Sequence, residues 1–234
     1  MGIAGNVEKI RESIAEAAGS GAVLLVAATK MNDAARVREA VAAGVDACGE
    51  NRVQEFLEKD ALGAYDGAAK HFIGHLQRNK VNKIVGRVEL IQSVGSAELM
   101  ELIAKRAAAL GLVQDVLIEI NIAGEEQKSG IAPEFLMEML DFSSKFASVR
   151  VRGLMCVPPI SVKSGSNRAY FARMRQLFVD NGQKKYDNVS MDFLSMGMTD
   201  DYMDAVKEGA NMVRIGSAIF GRRDYGAAGS PLEE

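Results

Sequence analysis

Apolar positions along the chain switch repeatedly between a helical rhythm and short unbroken runs. Within residues 8–18, Ile10 and Ile14 share one helical face, and Gly19 follows as a stop. Val23 to Ala28 is a continuous apolar run, too short for a helix, and reads as a strand buried on both faces. Asp33 to Ala43 returns to helical register through Val37 and Val41, stops at Gly44, and gives way to a strand at Val45 to Gly49. The alternation continues with a helix at Asn51 to Lys59, a strand at His71 to Gly74, a helix at Asn79 to Val85 and a strand at Val88 to Ser93. Ser96 then caps a helix carrying Leu99, Leu102, Ile103 and Leu110 on one face, with Gly111 beyond its end. Asp115 to Ile122 is the clearest strand, and Pro133 opens a helix with Phe135, Leu136, Met139 and Leu140. Strand Val149 to Val157, a loop over Lys163 to Asn167, a helix with Phe171, Met174 and Phe178, strand Val189 to Ser195, helix Asp200 to Glu208 and strand Asn211 to Ile215 complete the series.

Eight strands, with a helix before each after the first and no linker or change of composition between halves, predict one closed (β/α)8 TIM barrel spanning 1–234. An open doubly wound sheet would place a glycine-rich phosphate turn after the first strand, and Ala28-Thr29-Lys30-Met31 has none.

With 28 Lys plus Arg against 31 Asp plus Glu, the chain lacks the basic excess that a phosphate backbone demands, so nucleic acid is not an expected partner. No apolar stretch reaches membrane-spanning length, and the first ten residues carry no secretory pattern. Cys48 and Cys156 stand far apart without CxxC spacing, which fits a reducing cytoplasm. His71 and His75 are four apart, but Phe-Ile-Gly between them lacks the glutamate of helical zinc motifs, so no metal site is expected.

Barrel chemistry gathers at the C-terminal ends of the strands. Those ends carry Lys30, Glu50-Asn51, His75, Asn121, Met155, Ser195 and Arg214. A lysine leaving a buried strand can become a nucleophilic amine by desolvation, or can simply snorkel to solvent from the rim. Ser195-Met196-Gly197-Met198-Thr199 and Gly216-Ser217 supply small residues and hydroxyls in the loops where barrels often take phosphate; the plain alternative is a turn, with Thr199 capping a helix. Arg214 faces either a ligand ring or a carboxylate, Asn51 and Asn121 can satisfy turn backbone, His75 can bond a carbonyl, and Met155 suits the core.

Several segments together resemble the YggS-like pyridoxal-phosphate homeostasis proteins, whose fold is similar to the barrel domain of alanine racemase. They are Leu24-Leu-Val-Ala-Ala-Thr-Lys30, Gly49-Glu-Asn-Arg-Val-Gln-Glu55, His71-Phe-Ile-Gly-His-Leu-Gln-Arg-Asn-Lys80, Lys128-Ser-Gly130, Arg152-Gly-Leu-Met155, Leu194-Ser-Met-Gly-Met-Thr-Asp-Asp201 and Val213-Arg-Ile-Gly-Ser-Ala-Ile-Phe-Gly221, in order over nearly the whole chain. Where many relatives have a second lysine just beyond the first, this chain has Met31-Asn32-Asp33. The resemblance implies pyridoxal phosphate (PLP) held covalently on Lys30. The phosphate would lie on Ser195, Gly216 and Ser217, and Arg214 would face the pyridine nitrogen. Asn51, His75, Met155 and Gly197 complete the expected cofactor-binding set. It implies no catalytic residues, apo PLP enzymes as recipients, a cytoplasmic monomer or weak dimer, and little turnover, because racemases of this fold draw a second base from an added C-terminal β domain. A PLP-dependent amino-acid racemase is the alternative.

Overall fold

In the computed structural model, which describes residues 2–160, 163–182 and 186–221, eight parallel strands close into a barrel in chain order. They are β1 (Leu24–Ala28), β2 (Ala47–Glu50), β3 (Ala69–Phe72), β4 (Leu90–Val94), β5 (Gln114–Glu119), β6 (Val149–Met155), β7 (Val189–Ser195) and β8 (Met212–Ile215). Strand β1 closes the ring on β8, with Leu24 opposite Met212 and Val26 opposite Arg214. Outside run α1 (Ile3–Ala18), α2 (Ala34–Ala42), α3 (Val53–Ala61), α4 (Val81–Ile84), α5 (Ala97–Ala109), α6 (Leu136–Ser143), α7 (Arg168–Gly182), α8 (Tyr202–Lys207) and α9 (Ser217–Phe220).

The unbroken apolar runs have a direct cause: each strand is buried on both sides. Leu25, Ala27, Cys48, Ile91, Val116 and Val213 pack outward against the helices. Val26, Ala47, Leu90, Leu117, Met155 and Met212 meet inside the ring. Towards the C-terminal mouth the inward positions become polar, with His71, Gln92, Glu119, Ser195 and Arg214 all buried. Helix α1 belongs to the closure, since the Asn6 side-chain amide donates to the Ile219 carbonyl at 2.9 Å.

Departures from the expected elements have local reasons. Helix α1 begins at Ile3 because Ile3 and Val7 extend the buried stripe of Ile10 and Ile14. Strand β3 lies before the predicted position, so His75 stands in the loop three residues beyond Phe72. Residues 78–84 form a 3₁₀ turn and a single helical turn. Helix α5 buries Met100, Ala104 and Ala107 beside Leu99 and Ile103, leaving Leu102 and Leu110 exposed. Thr199 does not cap α8; the cap position is Asp201, whose carboxylate accepts from the Met198 N–H and from Asn167 Nδ2, both at 2.7 Å. The cap at Ser96 forms on Leu99 N as its sequence position predicts, and Asp33 caps α2 on Arg36 N. Residues beyond Gly221, the short tail after the last strand, lie outside the described residues. No helix among the described residues is long and apolar enough to cross a membrane.

Gly153 sits at a register shift between β6 and β7 with φ of 141°, where an added Cβ would stand 1.9 Å from the Phe193 carbonyl oxygen. Gly153→Ala is therefore expected to cost about 3 kcal/mol, since backbone on both strands must move. A urea titration with unchanged slope and a wild-type midpoint would refute this.

Candidate functional site

The C-terminal mouth of the barrel holds a cavity of about 770 Å³ lined by Ala28, Lys30, Asn51, Ile73, Val157, Met198, Thr199, Asp200, Arg214, Gly216 and Ser217. Five of these come from the expected set: Lys30, Asn51, Arg214, Gly216 and Ser217. They arrive from strands at opposite ends of the chain because β1 is flanked by β2 and β8. Lys30, half-buried just past β1, has no side-chain hydrogen bond or ion pair among the described residues. The Asn51 side-chain oxygen is buried without a donor among the described residues. Its backbone is fixed by close approach, since a Cβ at Gly74 would lie 2.3 Å from the Asn51 carbonyl oxygen. On the far wall the Ser217 hydroxyl donates to Thr199 Oγ1 at 3.3 Å, joining the loops after β7 and β8.

Arg214 is pinned from below. Its Nη2 donates to the Cys156 carbonyl at 2.8 Å and its Nη1 to Ser195 Oγ at 2.5 Å. Ser195 Oγ passes its own proton to Gln92 Oε1 at 2.7 Å, and Gln92 Nε2 lies 2.9 Å from His71 Nδ1. Burial pushes the His71 pKa down to about 4, so the ring is neutral, with Nδ1 accepting and the proton on Nε2. A hydrogen-bonded chain thus crosses the barrel from β8 through β7 and β4 to β3, and it aims the guanidinium.

A second cluster holds the backbone on either side of Lys30. Lys59 Nζ donates to the Thr29 carbonyl (2.8 Å), Glu50 (2.7 Å) and Glu55 (3.1 Å). Glu55 accepts from the Met31 N–H at 2.6 Å, and Met31 is, among the described residues, the one non-glycine residue with positive φ, 60°. Burial alone would raise the Glu55 pKa, but the Met31 N–H and the Lys59 ammonium more than offset it, and the net shift is downward. Thr29 Oγ1, the Asn51 N–H and, at 3.4 Å, the Tyr65 hydroxyl also donate to Glu50. Lys30 therefore leaves the barrel between two backbone groups fixed from below.

Four expected residues stand elsewhere. Ser195 is 0% exposed, with its hydroxyl used in both directions by Arg214 and Gln92, so it positions the arginine and has no hydrogen left for a phosphate. Met155 belongs to the inner core beneath the cavity. Gly197 packs the β7–α8 loop against Ala205 and gives its carbonyl to the Arg214 N–H. His75 lines a separate cavity with Glu119 and Ser129, its Nδ1 3.2 Å from Ser129 Oγ. Asn121 folds its own loop, bonding residues 124, 125 and 128. The sequence reading missed Glu55, Lys59, Gln92, Ser93 and Glu119. The i,i+4 spacing of Glu55 and Lys59, and a glutamine inside the apolar run Leu90-Ile-Gln-Ser-Val94, were the available signals.

This barrel, with its mouth built from β1, β2, β7 and β8, is an alanine racemase N-terminal-domain fold; the family described as "Alanine racemase, N-terminal domain" matches residues 2–224. Within that class, the chain belongs to the family of pyridoxal phosphate homeostasis proteins. It is 42% identical to the protein of that name from Aquifex aeolicus over 221 residues, covering 94% of this chain and 96% of the relative. The Pseudomonas aeruginosa protein of the same name is 39% identical, with 97% and 99% covered. The structure of PipY from Synechococcus elongatus with PLP bound superposes with a TM-score of 0.82 at 33% identity, over 94% of this chain and all of that one.

Proposed function

We propose that the cavity at the barrel mouth holds PLP as a Schiff base on Lys30, and that the protein serves intracellular PLP homeostasis as a carrier without substantial turnover. The observation that carries this reading is Lys30 itself: a lysine with no ion pair, held between fixed backbone groups, on the wall of a cavity of ligand size. The names of the relatives and the PLP-bound relative support it. When bound, PLP supplies an aldehyde that condenses with a lysine amine and a pyridine ring that can withdraw electrons.

The residues present fit that group. The Asn51 oxygen lacks a donor, and PLP carries a ring hydroxyl. Thr199 and Ser217 offer paired hydroxyls, and Ser217 heads α9, whose first N–H groups have no acceptor within the helix. Arg214 presents a group that can only donate, so a ring nitrogen facing it accepts and stays unprotonated. That weakens electron withdrawal and favours holding the cofactor over turning substrates over. Recipient enzymes lacking PLP are the natural destination of a cofactor kept in this form.

The test is borohydride reduction of protein mixed with PLP, followed by peptide mapping. The stable adduct is expected on Lys30, and Lys30→Ala is expected to lose it while unfolding at the wild-type urea midpoint. An adduct mapped to another lysine overturns the assignment.

A further inference from the structure

We propose that the separate cavity at the ends of β3, β4 and β5 is a binding site for the ammonium group of a small primary amine, with Glu119 as counter-ion and Ser93 as a second acceptor. The cavity has a volume of about 470 Å³, and its polar lining includes His75, Arg78, Ser93, Glu119 and Ser129. Of the residues expected at the cofactor, His75 lines it, while Lys30, Asn51, Arg214, Gly216 and Ser217 line the other cavity.

Two of its side chains have no protein partner among the described residues. Ser93 is 3% exposed and its hydroxyl oxygen has no partner among the described residues. Glu119 is 8% exposed, and no side-chain hydrogen bond or ion pair reaches its carboxyl among the described residues. Buried polar groups are almost always paired, so the orphaned Ser93 hydroxyl, beside a mostly buried carboxylate that opens onto the same cavity, points to a ligand that donates to both. Both accept hydrogen bonds, and an alkylammonium brings three donors and the charge that a carboxylate requires. An anion would meet Glu119 unfavourably. A multivalent metal would find too few ligands, since no group of three His, Cys, Asp or Glu side chains gathers among the described residues.

The groups facing Glu119 set how binding depends on pH. Burial raises its pKa to about 7, opposed by the Arg214 guanidinium of β8. The Cys156 thiol, which feels the Glu119 charge from beyond β6, is itself pushed up to about 12 by burial and stays neutral. His75 and Arg78 face the cavity from the segment after β3. An arriving ammonium stabilises the ionised carboxylate, so binding at pH 7 expels about half a proton and the affinity rises between pH 6 and pH 8.

The inference does not depend on the cofactor reading, and Lys30→Ala protein isolates it from any reaction of amines with PLP. The probe is n-propylamine, with propionate as the charge-inverted control. In ¹³C spectra, the Glu119 carboxyl carbon is expected to titrate near neutrality in free protein and at lower pH with propylamine present. Calorimetry in two buffers of different ionisation heat, neither a primary amine, should report proton release. Glu119→Gln should weaken propylamine binding about tenfold or more and Ser93→Ala about threefold, as loss of a charge-assisted and of an ordinary hydrogen bond requires. His75→Gln should leave the pH dependence in place. If Glu119→Gln does not fold, Ser93→Ala and the carboxyl titration still decide the matter. A carboxyl resonance unmoved by saturating propylamine, equal binding of propionate, or propylamine affinity unchanged in both variants overturns the proposal.

Discussion

Glu119→Gln protein is expected to gain stability over the wild type as pH rises, from near equality at pH 4.5 to an advantage of about 3 kcal/mol at pH 8. Burial lifts the Glu119 pKa from 4.5 to about 7. Between those values the unfolded chain has released this proton while the fold still holds it. The unfolded state then binds fewer protons, so stability falls as pH rises, and above pH 7 the loss is complete. At about 1.4 kcal/mol per pH unit the window amounts to about 3 kcal/mol. His71 works in the opposite sense: burial lowers its pKa from 6.5 to about 4, so the unfolded state binds the extra proton and stability rises with pH across that window. The two windows nearly coincide, and in the wild type they cancel over most of their range. Removing Glu119 leaves the histidine slope exposed. Urea midpoints at half-unit steps from pH 4.5 to pH 8 measure it, and a Glu119→Gln curve parallel to the wild type would show that Glu119 is not tuned as described.

Lys59→Met is expected to destabilise the protein by about 3–5 kcal/mol, because it strands the Glu50 carboxylate in a dry pocket. Both side chains of that pair are almost fully buried, at 8% and 1% exposure. The methionine replaces the aliphatic stem but not the ammonium, so the Thr29 carbonyl also loses one of its two donors and keeps the Asn32 N–H. A double variant, Lys59→Met with Glu50→Gln, should recover most of the loss, since the deficit lies in the orphaned charge rather than in packing. Glu55→Gln is a milder change, near 1 kcal/mol, because an amide oxygen still accepts from the Met31 N–H. All three variants should trap PLP under borohydride more slowly than wild type if the backbone around Lys30 is held from below. Wild-type stability in Lys59→Met would remove the buried pair from the account.

The order of elements and the closed barrel were legible because strands buried on both faces must be apolar throughout, and their helices carry period-3.6 stripes between glycine stops. Boundaries slipped where that contrast fades. Ala69-Lys-His-Phe72 is a strand with little apolar signal, so its position was read too late and His75 was credited with a place on the barrel rim. At the site, Lys30, Asn51, Arg214, Gly216 and Ser217 were legible from strand ends and motif order. Ser195 was not, because nothing in one sequence shows that Gln92, 103 residues away, takes its proton. Glu119 closes an apolar strand and looks like a rim carboxylate; only the folded ring shows that its carboxyl has no side-chain partner among the described residues.

The pairing of β1 with β8 has a consequence in time. One wall of the Lys30 cavity is made of residues near the start of the chain, and the facing wall, Arg214 to Ser217, is made nearly two hundred residues later. At synthesis rates of about 5–20 residues per second, the first strand waits roughly 10–40 s on the ribosome before its neighbour exists. Throughout that interval β1 has an open edge, the Leu24 N–H lacks its acceptor on Asn211, and the Arg214 guanidinium has not been made. Ring closure between distant segments is the slow kind of folding event, because the loop entropy is spent before any contact returns it. A nascent chain of this protein is therefore blind to the ligand its mouth will hold. Binding competence arrives in a single step with the last strand, when the barrel shuts.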